Sequence, residues 1–265
     1  MPKPTGKNQS QRSRKDQGAF GQGAGAAPGA QVAFELGQNR PMRFYFSACL
    51  LGLVVFGLFP QLDLAFTALF YEPGAGFVYK DLPWVQVLYW AFARLQWPIL
   101  AILALGLLGG VVISAWAAQR RALWFLLLAL LLGPGLIVNE VLKNHWGRAR
   151  PAQVTEFGGA ARYTPPLQRA DQCEKNCSMS SGHAALGFYP LALAWVMRRQ
   201  RRLWVAVGLV SGGIVGLGRI LQGGHFLSDV LVSAAVVWLV CAVLARWLLP
   251  PAQTAAELTS PASDG

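Results

Sequence analysis

Acidic residues are scarce in this chain: 12 Asp and Glu stand against 23 Lys and Arg in 265 residues, and charged residues of both signs make up only 13%. So little charge excludes an ordinary soluble domain of this length. The scarcity of carboxylates also leaves no cluster suited to Mg²⁺. Cysteine is limited to Cys49, Cys173, Cys177 and Cys241, and histidine to His145, His183 and His225. Four good ligands for a structural metal are not evident, so neither a metal nor another cofactor is expected. A nucleotide-binding loop is excluded as well. Gly208, Gly212 and Gly216 follow no strand and precede no Lys-Ser/Thr pair, and their four-residue spacing reads as a helix face that a neighbour can approach closely. No apolar run precedes Phe44, so a cleavable signal peptide is not expected. "FSAC" before Cys49 resembles a lipoprotein cleavage site only faintly, because Cys49 lies too near the start of its run.

What is abundant is apolar. Hydrophobic residues make up 54% of the chain, with 10 Trp and 14 Phe, and they gather into stretches of roughly the 20 residues that cross a bilayer as a helix, the last two of them carrying ionisable residues near one end. Six stretches qualify: Phe44 to Leu62, Leu95 to Gln119, Ala122 to Asn139, Ala184 to Met197, Leu203 to Gln222 and Phe226 to Leu249. The fourth is short unless it starts near Ser180. The expected fold is all-α, a polytopic bundle of six transmembrane helices over residues 41–249. Residues 1–40, rich in Gly, Ser, Gln and Lys, and residues 250–265 read as disordered tails. Between the first two spans, Asp81 to Trp97 carries Trp84, Trp90, Trp97 and Arg94, the pattern of a helix at the headgroup boundary; an ordinary aromatic belt accounts for it equally.

A net charge of +11 would suit nucleic acid, but the charges sit in patches between spans. Seven Lys and Arg precede the first span, Arg120 and Arg121 separate the second from the third, and Arg198, Arg199, Arg201 and Arg202 separate the fourth from the fifth. The positive-inside rule makes these cytoplasmic, together with both termini. Asp63 to Arg94, Lys143 to His183 and Gly223 to His225 then lie outside. The expected partners are the bilayer and a lipid, with no nucleic acid and no obligate protein partner.

The outer segments hold all three histidines. His225 and Asp229 are four residues apart, which in a helix starting here puts them on one face. A carboxylate on one imidazole nitrogen leaves the other free as base or nucleophile. In "SMSSGHAALGFYP", Ser180, Ser181 and Gly182 precede the fourth span, where unpaired backbone N–H groups of a helix start favour phosphate oxygens; a plain helix cap is the competing reading. His183 in that first turn could protonate a departing oxygen. Arg219 ends the fifth span before the Gly223-Gly224 turn. Lys143 and Arg150 share one side if the third helix continues to Pro151. Such cations suit an anion with several oxygens, most simply a phosphate. Arg148 reads as a supporting contact, and His145 as a substrate-contacting or structural residue.

These residues resemble the type 2 phosphatidic acid phosphatase superfamily. "KNHWGRARP" is similar to its Lys-x6-Arg-Pro element, "SSGH" to Pro-Ser-Gly-His, and "GRILQGGHFLSD" to Ser-Arg-x5-His-x3-Asp, across roughly Phe44 to Leu249. Ser180 stands in place of the usual Pro, and Gly218 in place of a Ser whose hydroxyl could contact phosphate. The resemblance implies that Lys143, Arg150, Arg219, Ser181 and Gly182 bind phosphate. It implies that His225 attacks phosphorus, Asp229 orients it and His183 protonates the leaving alcohol, without metal. A lipid phosphate phosphatase of the bacterial inner membrane, with a periplasmic active site, is the expectation. A lipid-to-lipid phosphotransferase and a non-enzymatic lipid-binding or transport protein are the alternatives. "FGG" (Phe157 to Gly159) and "CEKNCS" resemble segments of bacterial lipid A phosphatases, and phosphatidylglycerophosphate and undecaprenyl pyrophosphate fit the same chemistry as substrates, whether the bond cleaved is a phosphomonoester or a pyrophosphate. Cys173 and Cys177 on the oxidising side are a candidate disulfide, with a metal site the weaker reading.

Overall fold

A computed structural model describes residues 40–113 and 118–250, with side chains from Phe44 onward. The two expected tails and residues 114–117, near the end of the expected second span, lie outside the described residues apart from Arg40 and Pro250. The described residues are mostly helical, with one two-residue antiparallel hairpin among them, Tyr71–Glu72 with Gly76–Phe77. Four helical stretches among them are long and apolar enough to cross a membrane, and a bent pair brings the number to as many as five.

The bent pair opens the described chain. Helix α1 (Arg40–Leu58) ends at Phe59-Pro60, and α2 (Gln61–Ala68) departs at 98°. The expected first span ran on to Leu62. Pro60 has no N–H to continue the α1 ladder, so the chain turns before that point. The Trp-rich segment and the second span are nearly continuous: α3 (Pro83–Arg94) and α4 (Gln96–Val112) form a stretch of 30 residues. At about 1.5 Å per residue this exceeds the roughly 30 Å hydrocarbon core. Its first turns, with the exposed Trp84 and Trp90, therefore have length to spare at the headgroup level.

Helix α5 (Arg120–Leu130) passes into a π-helix over Leu131–Leu142 and one last α-turn, Lys143–His145. Pro134 lies inside the π segment. Its missing N–H and its ring would break an i to i−4 ladder, and the wider π turn accommodates both. The span runs from Arg120 to His145 instead of stopping at Asn139, and Glu140 is exposed beyond the expected end.

The fourth expected span differs most. It is built from α6 (Gly182–Phe188), a 3-10 turn at Tyr189–Ala192 and α7 (Leu193–Val196), none long enough to count as a membrane helix. This broken rod is nevertheless the centre of the core. Ala184, Ala185, Ala192 and Ala194 are fully buried among Phe125, Val138, Ile220 and Val237. Helices α8 (Arg201–Leu221) and α9 (Leu227–Leu248) pack around it. The glycine stripe of α8 is what allows the approach. A Cβ on Gly208 would lie 2.7 Å from the Leu191 side chain, one on Gly212 would lie 2.2 Å from the Phe188 ring, and one on Gly216 would lie 2.5 Å from Val230 of α9. The membrane-facing side is marked by apolar residues left uncovered, such as Leu51, Ile102, Leu108, Val112 and Trp247.

Gly212→Leu should therefore separate α8 from α6, at a cost of about 1–3 kcal/mol or more for overpacking a tight core. Thermal unfolding of detergent-purified protein should show a clearly lowered midpoint. Gly213→Leu, at a position where a Cβ would have nothing within 4 Å, should leave the midpoint nearly unchanged.

Candidate functional site

The first motif segment does not stay helical. The α5 stretch ends at His145, Gly147 adopts φ 75°, and Arg150 is extended at φ −80°, ψ 157°. A Cβ on Gly147 would lie 1.8 Å from the Ala170 carbonyl oxygen, so only glycine allows the chain to turn against that part of the loop. Lys143 and Arg150 are thus brought together by an extended segment, not by the helical spacing expected from sequence. An aromatic cluster of Tyr71, Phe77 and Phe157, with Val154 and Ala149, supports this segment from beneath.

Arg148 is at the centre of the arrangement. Its side chain is fully buried, and every polar atom it presents meets a protein partner. Nη1 donates to Asp229 Oδ1 at 2.6 Å and to Ser228 Oγ at 2.9 Å, Nη2 donates to Asp63 Oδ2 at 2.8 Å, and Nε donates to the Thr164 carbonyl at 2.8 Å. The guanidinium lies 4.3 Å from the centroid of the Phe226 ring. Burial works against the Arg148 charge, but the carboxylates of Asp229 and Asp63 outweigh it and hold the group protonated above its ordinary range. The supporting contact expected of Arg148 is thus an internal one. His145 is exposed and stands apart from this cluster.

Asp229 is held on all sides. Besides Arg148, it accepts from Ser178 Oγ at 2.5 Å and from the Phe226 N–H at 2.9 Å. The helix expected to carry both His225 and Asp229 begins only at Leu227, because Phe226 is extended and Asp229 turns back to cap its N–H. His225 precedes the helix. Its Nδ1 lies 3.1 Å from the Ser178 carbonyl and 3.5 Å from Asp229 Oδ2. A carbonyl only accepts, so Nδ1 carries the proton and Nε2 is left with its lone pair. Burial, then the charges of Arg219, Lys143 and Arg150, hold the His225 imidazole well below its ordinary range, so it is neutral at physiological pH.

The three cations that act on His225 come from two parts of the chain, Lys143 and Arg150 from the first motif and Arg219 from the end of α8. Arg150 donates from Nε and Nη2 to the Asn176 carbonyl at 3.1 and 2.7 Å. Asn176 lies inside the loop closed by Cys173 and Cys177, whose sulfurs are bonded with Cα atoms 5.7 Å apart. Backbone bonds from Cys177 N–H to the Lys143 carbonyl and from Ser178 N–H to the Arg148 carbonyl lay that loop along the first motif. Arg219, at the end of α8, donates to Gln222, and its guanidinium packs over the Tyr89 ring at 4.9 Å. The Gly223-Gly224 turn leaves room for it: Gly223 has φ 63°, and a Cβ on Gly224 would come within 2.5 Å of Arg219 Nη2. A buried Nε of Arg219 has no hydrogen-bond partner among the described residues.

The second motif supplies the remaining side. Ser181 caps α6 by accepting from the Ala184 N–H at 3.3 Å. Its own N–H is taken by Ser233 Oγ at 2.8 Å. Gly182 is packed so closely that a Cβ would meet Asn139 Oδ1 at 2.2 Å. Ser180, where the resemblance implies Pro, uses its hydroxyl to bond the Val138 carbonyl of the π-helix at 3.1 Å. A Cβ on Gly218 would face Leu88 at 3.7 Å, so the missing hydroxymethyl group points toward α3. The His183 ring stacks on Tyr89 with centroids 5.0 Å apart, and its buried Nε2 has no hydrogen-bond partner among the described residues. Burial first, then the charges of Arg219 and Lys143, push its pKa down to about 3.

Against this cluster opens a cavity of about 450 Å³, lined by Arg150 and Arg219 with Lys80, Asp81, Tyr89 and Gln153. Neither His183 nor His225 is part of its wall; His225 is 1% exposed and lies behind the arginines. Arg150 and Arg219 are the cations of the site that line this cavity.

Residues 122–251 match the PAP2 superfamily. A lipid A 4'-phosphatase of Francisella tularensis subsp. novicida (strain U112) is 38% identical over 208 residues, covering 75% of this chain and 93% of that protein. The chain belongs to the PAP2 superfamily. Two further relatives are lipid A 4'-phosphatases as well, from Rhizobium leguminosarum (34% identical, 68% of this chain and 84% of the relative) and Rhizobium etli (34%, 67% and 76%). No solved structure matches the chain significantly. Asp63, Ser178, Tyr89, Ser228 and Tyr163 take part in the site and were missed by sequence reasoning. None of them is a defining position of the three motifs, and none has a spacing relation to them that periodicity could reveal.

Opening the Cys173–Cys177 bond should loosen the Asn176 carbonyl that holds Arg150. The Cys173→Ser, Cys177→Ser double variant should bind inorganic phosphate several-fold more weakly by calorimetry, with helix content by circular dichroism unchanged. Equal phosphate affinity would show that Arg150 is positioned without the loop.

Proposed function

We propose that this chain is an integral-membrane lipid phosphate phosphatase that removes a phosphate from a lipid A-type glycolipid at the periplasmic face of the bacterial inner membrane. The observation that carries this reading is the state of His225. It is a neutral imidazole with Nδ1 protonated toward a carbonyl and Nε2 free, surrounded by Lys143, Arg150 and Arg219. The kinship with lipid A 4'-phosphatases supports the substrate class. So does the cavity, whose Lys80, Asp81 and Gln153 suit the hydroxyl and amide groups of a sugar headgroup.

The chemistry follows from the charges. A phosphate monoester settles among Lys143, Arg150 and Arg219, with the hydroxyl of Ser181 and the backbone of Gly182 at the start of α6. The His225 Nε2 lone pair attacks phosphorus while the bond to the sugar oxygen breaks. The three cations stabilise the charge that builds on the phosphoryl oxygens, the work a metal performs elsewhere. The phosphate's own negative charge offsets the cations that keep His183 neutral, so His183 takes up a proton as substrate binds and passes it to the leaving oxygen. Water then attacks the phosphohistidine, His183 accepts its proton, and inorganic phosphate departs. Asp229 holds the Nδ1 side of the ring and stabilises the positive charge that the imidazole acquires.

For topology we infer six membrane passages: the four long helices, the bent α1–α2 pair and the broken rod Ala184 to Met197, with both termini cytoplasmic. The arginines between α7 and α8 stay inside and the motif loops outside.

Purified protein should release inorganic phosphate from lipid A in EDTA, without an acceptor lipid, and mass spectrometry should show loss of one phosphate. His225→Ala should abolish release and Asp229→Asn should lower it by about a hundredfold or more, since orientation and charge are lost but the nucleophile stays. Wild-type turnover by His225→Ala would overturn the mechanism. Dependence on an acceptor lipid would make the protein a phosphotransferase.

The topology is tested separately, in a background with Cys49 and Cys241 replaced and the disulfide kept. A cysteine at Gln153, which is exposed, should react with membrane-impermeant maleimide in intact spheroplasts. A cysteine at Gln200 should react only after lysis. The reverse pattern would place the site in the cytoplasm.

A further inference from the structure

Asp63 lies outside all three motifs, on the short α2 that follows the 98° bend, and it is fully buried. Nothing in the reaction described above uses it. Its Oδ1 accepts from the Ser228 N–H at 3.1 Å, and its Oδ2 accepts from Arg148 Nη2 at 2.8 Å and from the Ser228 hydroxyl. Ser228 Oγ in turn accepts from Arg148 Nη1 and lies against Asp63 Oδ2. Asp63 accepts from Arg148 and the Ser228 N–H, and Asp229 from Arg148 and the Phe226 N–H, all obligate donors that favour the charged carboxylate of each. The bend is pinned to the same place by Tyr163, whose hydroxyl donates to the Pro60 carbonyl at 3.0 Å.

The charge count has a consequence. Arg148 would by itself neutralise Asp229 and leave the partner of His225 electrostatically spent. With Asp63 present the buried cluster carries two negative charges and one positive, a net charge of −1 next to a neutral His225. When Nε2 bonds to phosphorus the imidazole becomes cationic, with its proton still on Nδ1 between the Ser178 carbonyl and Asp229. The cluster and the ring together are then neutral. A buried cluster with a net charge is costly when isolated, and this one is compensated when the phosphohistidine forms.

We propose that Asp63 is an electrostatic positioning residue for phosphoryl transfer: through Arg148 it keeps the Asp229 carboxylate negative toward His225, and so stabilises the cationic phosphohistidine without touching substrate. This rests on the phosphohistidine reading. The other charged or titratable groups that face His225 are Lys143, Arg150, Arg219 and His183. The four are cationic or become so during the reaction, which leaves Asp229 and the Asp63 behind it as the counter-charge.

The test separates covalent from non-covalent oxyanions. Vanadate bonds to Nε2 and makes the ring cationic, whereas inorganic phosphate only occupies the cations. Asp63→Asn should lower kcat about tenfold or more with KM within twofold, and should weaken vanadate binding by a similar factor while phosphate affinity stays unchanged by calorimetry. Asp63→Glu, which restores the charge, should recover vanadate binding. Should Asp63→Asn fail to fold, Asp63→Glu decides: a folded protein with vanadate affinity as poor as that of His225→Ala would overturn the proposal. So would Asp63→Asn with unchanged kcat and vanadate affinity, or with KM, phosphate and vanadate all weakened alike, which would make the network a scaffold only. Wild-type protein that binds phosphate but not vanadate would count against the phosphohistidine itself, and that outcome is distinct from any difference among the Asp63 variants.

Discussion

A single buried guanidinium holds this site together. Arg148 ties α2 through Asp63, the start of α9 through Ser228 and Asp229, and the loop after the first motif through Thr164. Removing one member of such a group leaves uncompensated charge in a medium that solvates it poorly, at a cost of about 3–5 kcal/mol. The segments it joins are separated by more than eighty positions in sequence in two of its bonds, so the cluster also specifies which ends of which helices meet. The nucleophile candidate follows from it: Asp229 fixes Ser178, and the Ser178 carbonyl fixes the tautomer of His225.

The two arginines among the cations near His225 are held by backbone, amide or ring contacts in place of a carboxylate. Arg150 bonds the Asn176 carbonyl, and Arg219 lies over Tyr89 and bonds Gln222. Had either been paired with an acid, its charge would be unavailable to a ligand. Around His225 the carboxylate of Asp229 lies at Nδ1, and the charges of Arg219, Lys143 and Arg150 act on the ring, with neither arginine paired to a carboxylate among the described residues. The Nε2 of His183 and the Nε of Arg219, which have no hydrogen-bond partner among the described residues, are groups that a ligand's oxygens can satisfy.

Helix irregularity serves the same end. A regular fourth span would run its full length in an ideal helix, but α6 stops after Phe188 and the chain tightens before α7, which suits a short rod enclosed by its neighbours. Small residues on that rod and the glycines of α8 bring backbones close enough to exclude solvent from Ser178, Ser181 and Asp229. The π segment in α5 carries Pro134 and offers the Val138 carbonyl to Ser180, linking the first motif's helix to the second motif.

The apolar runs, the glycine stripe, the three motifs and the Gly223-Gly224 turn are local patterns, and the sequence alone determined the helical membrane class and marked His183, His225, Asp229, Lys143, Arg150 and Arg219 as a candidate set. Periodicity carries no information on what happens where a helix stops. The end of α5 at His145, the extended run to Arg150 and the start of α9 after Phe226 were set by contacts with distant segments: the Ala170 carbonyl against Gly147, and Ser178 against Asp229. Arg148 and Asp63 show the difference most plainly. In sequence one reads as a further cation in a basic motif and the other as the first residue of a loop. Only when the bend at Pro60 carries Asp63 back under α9 do they become a buried pair, because a charge taken out of water is stable only where the fold delivers its partner.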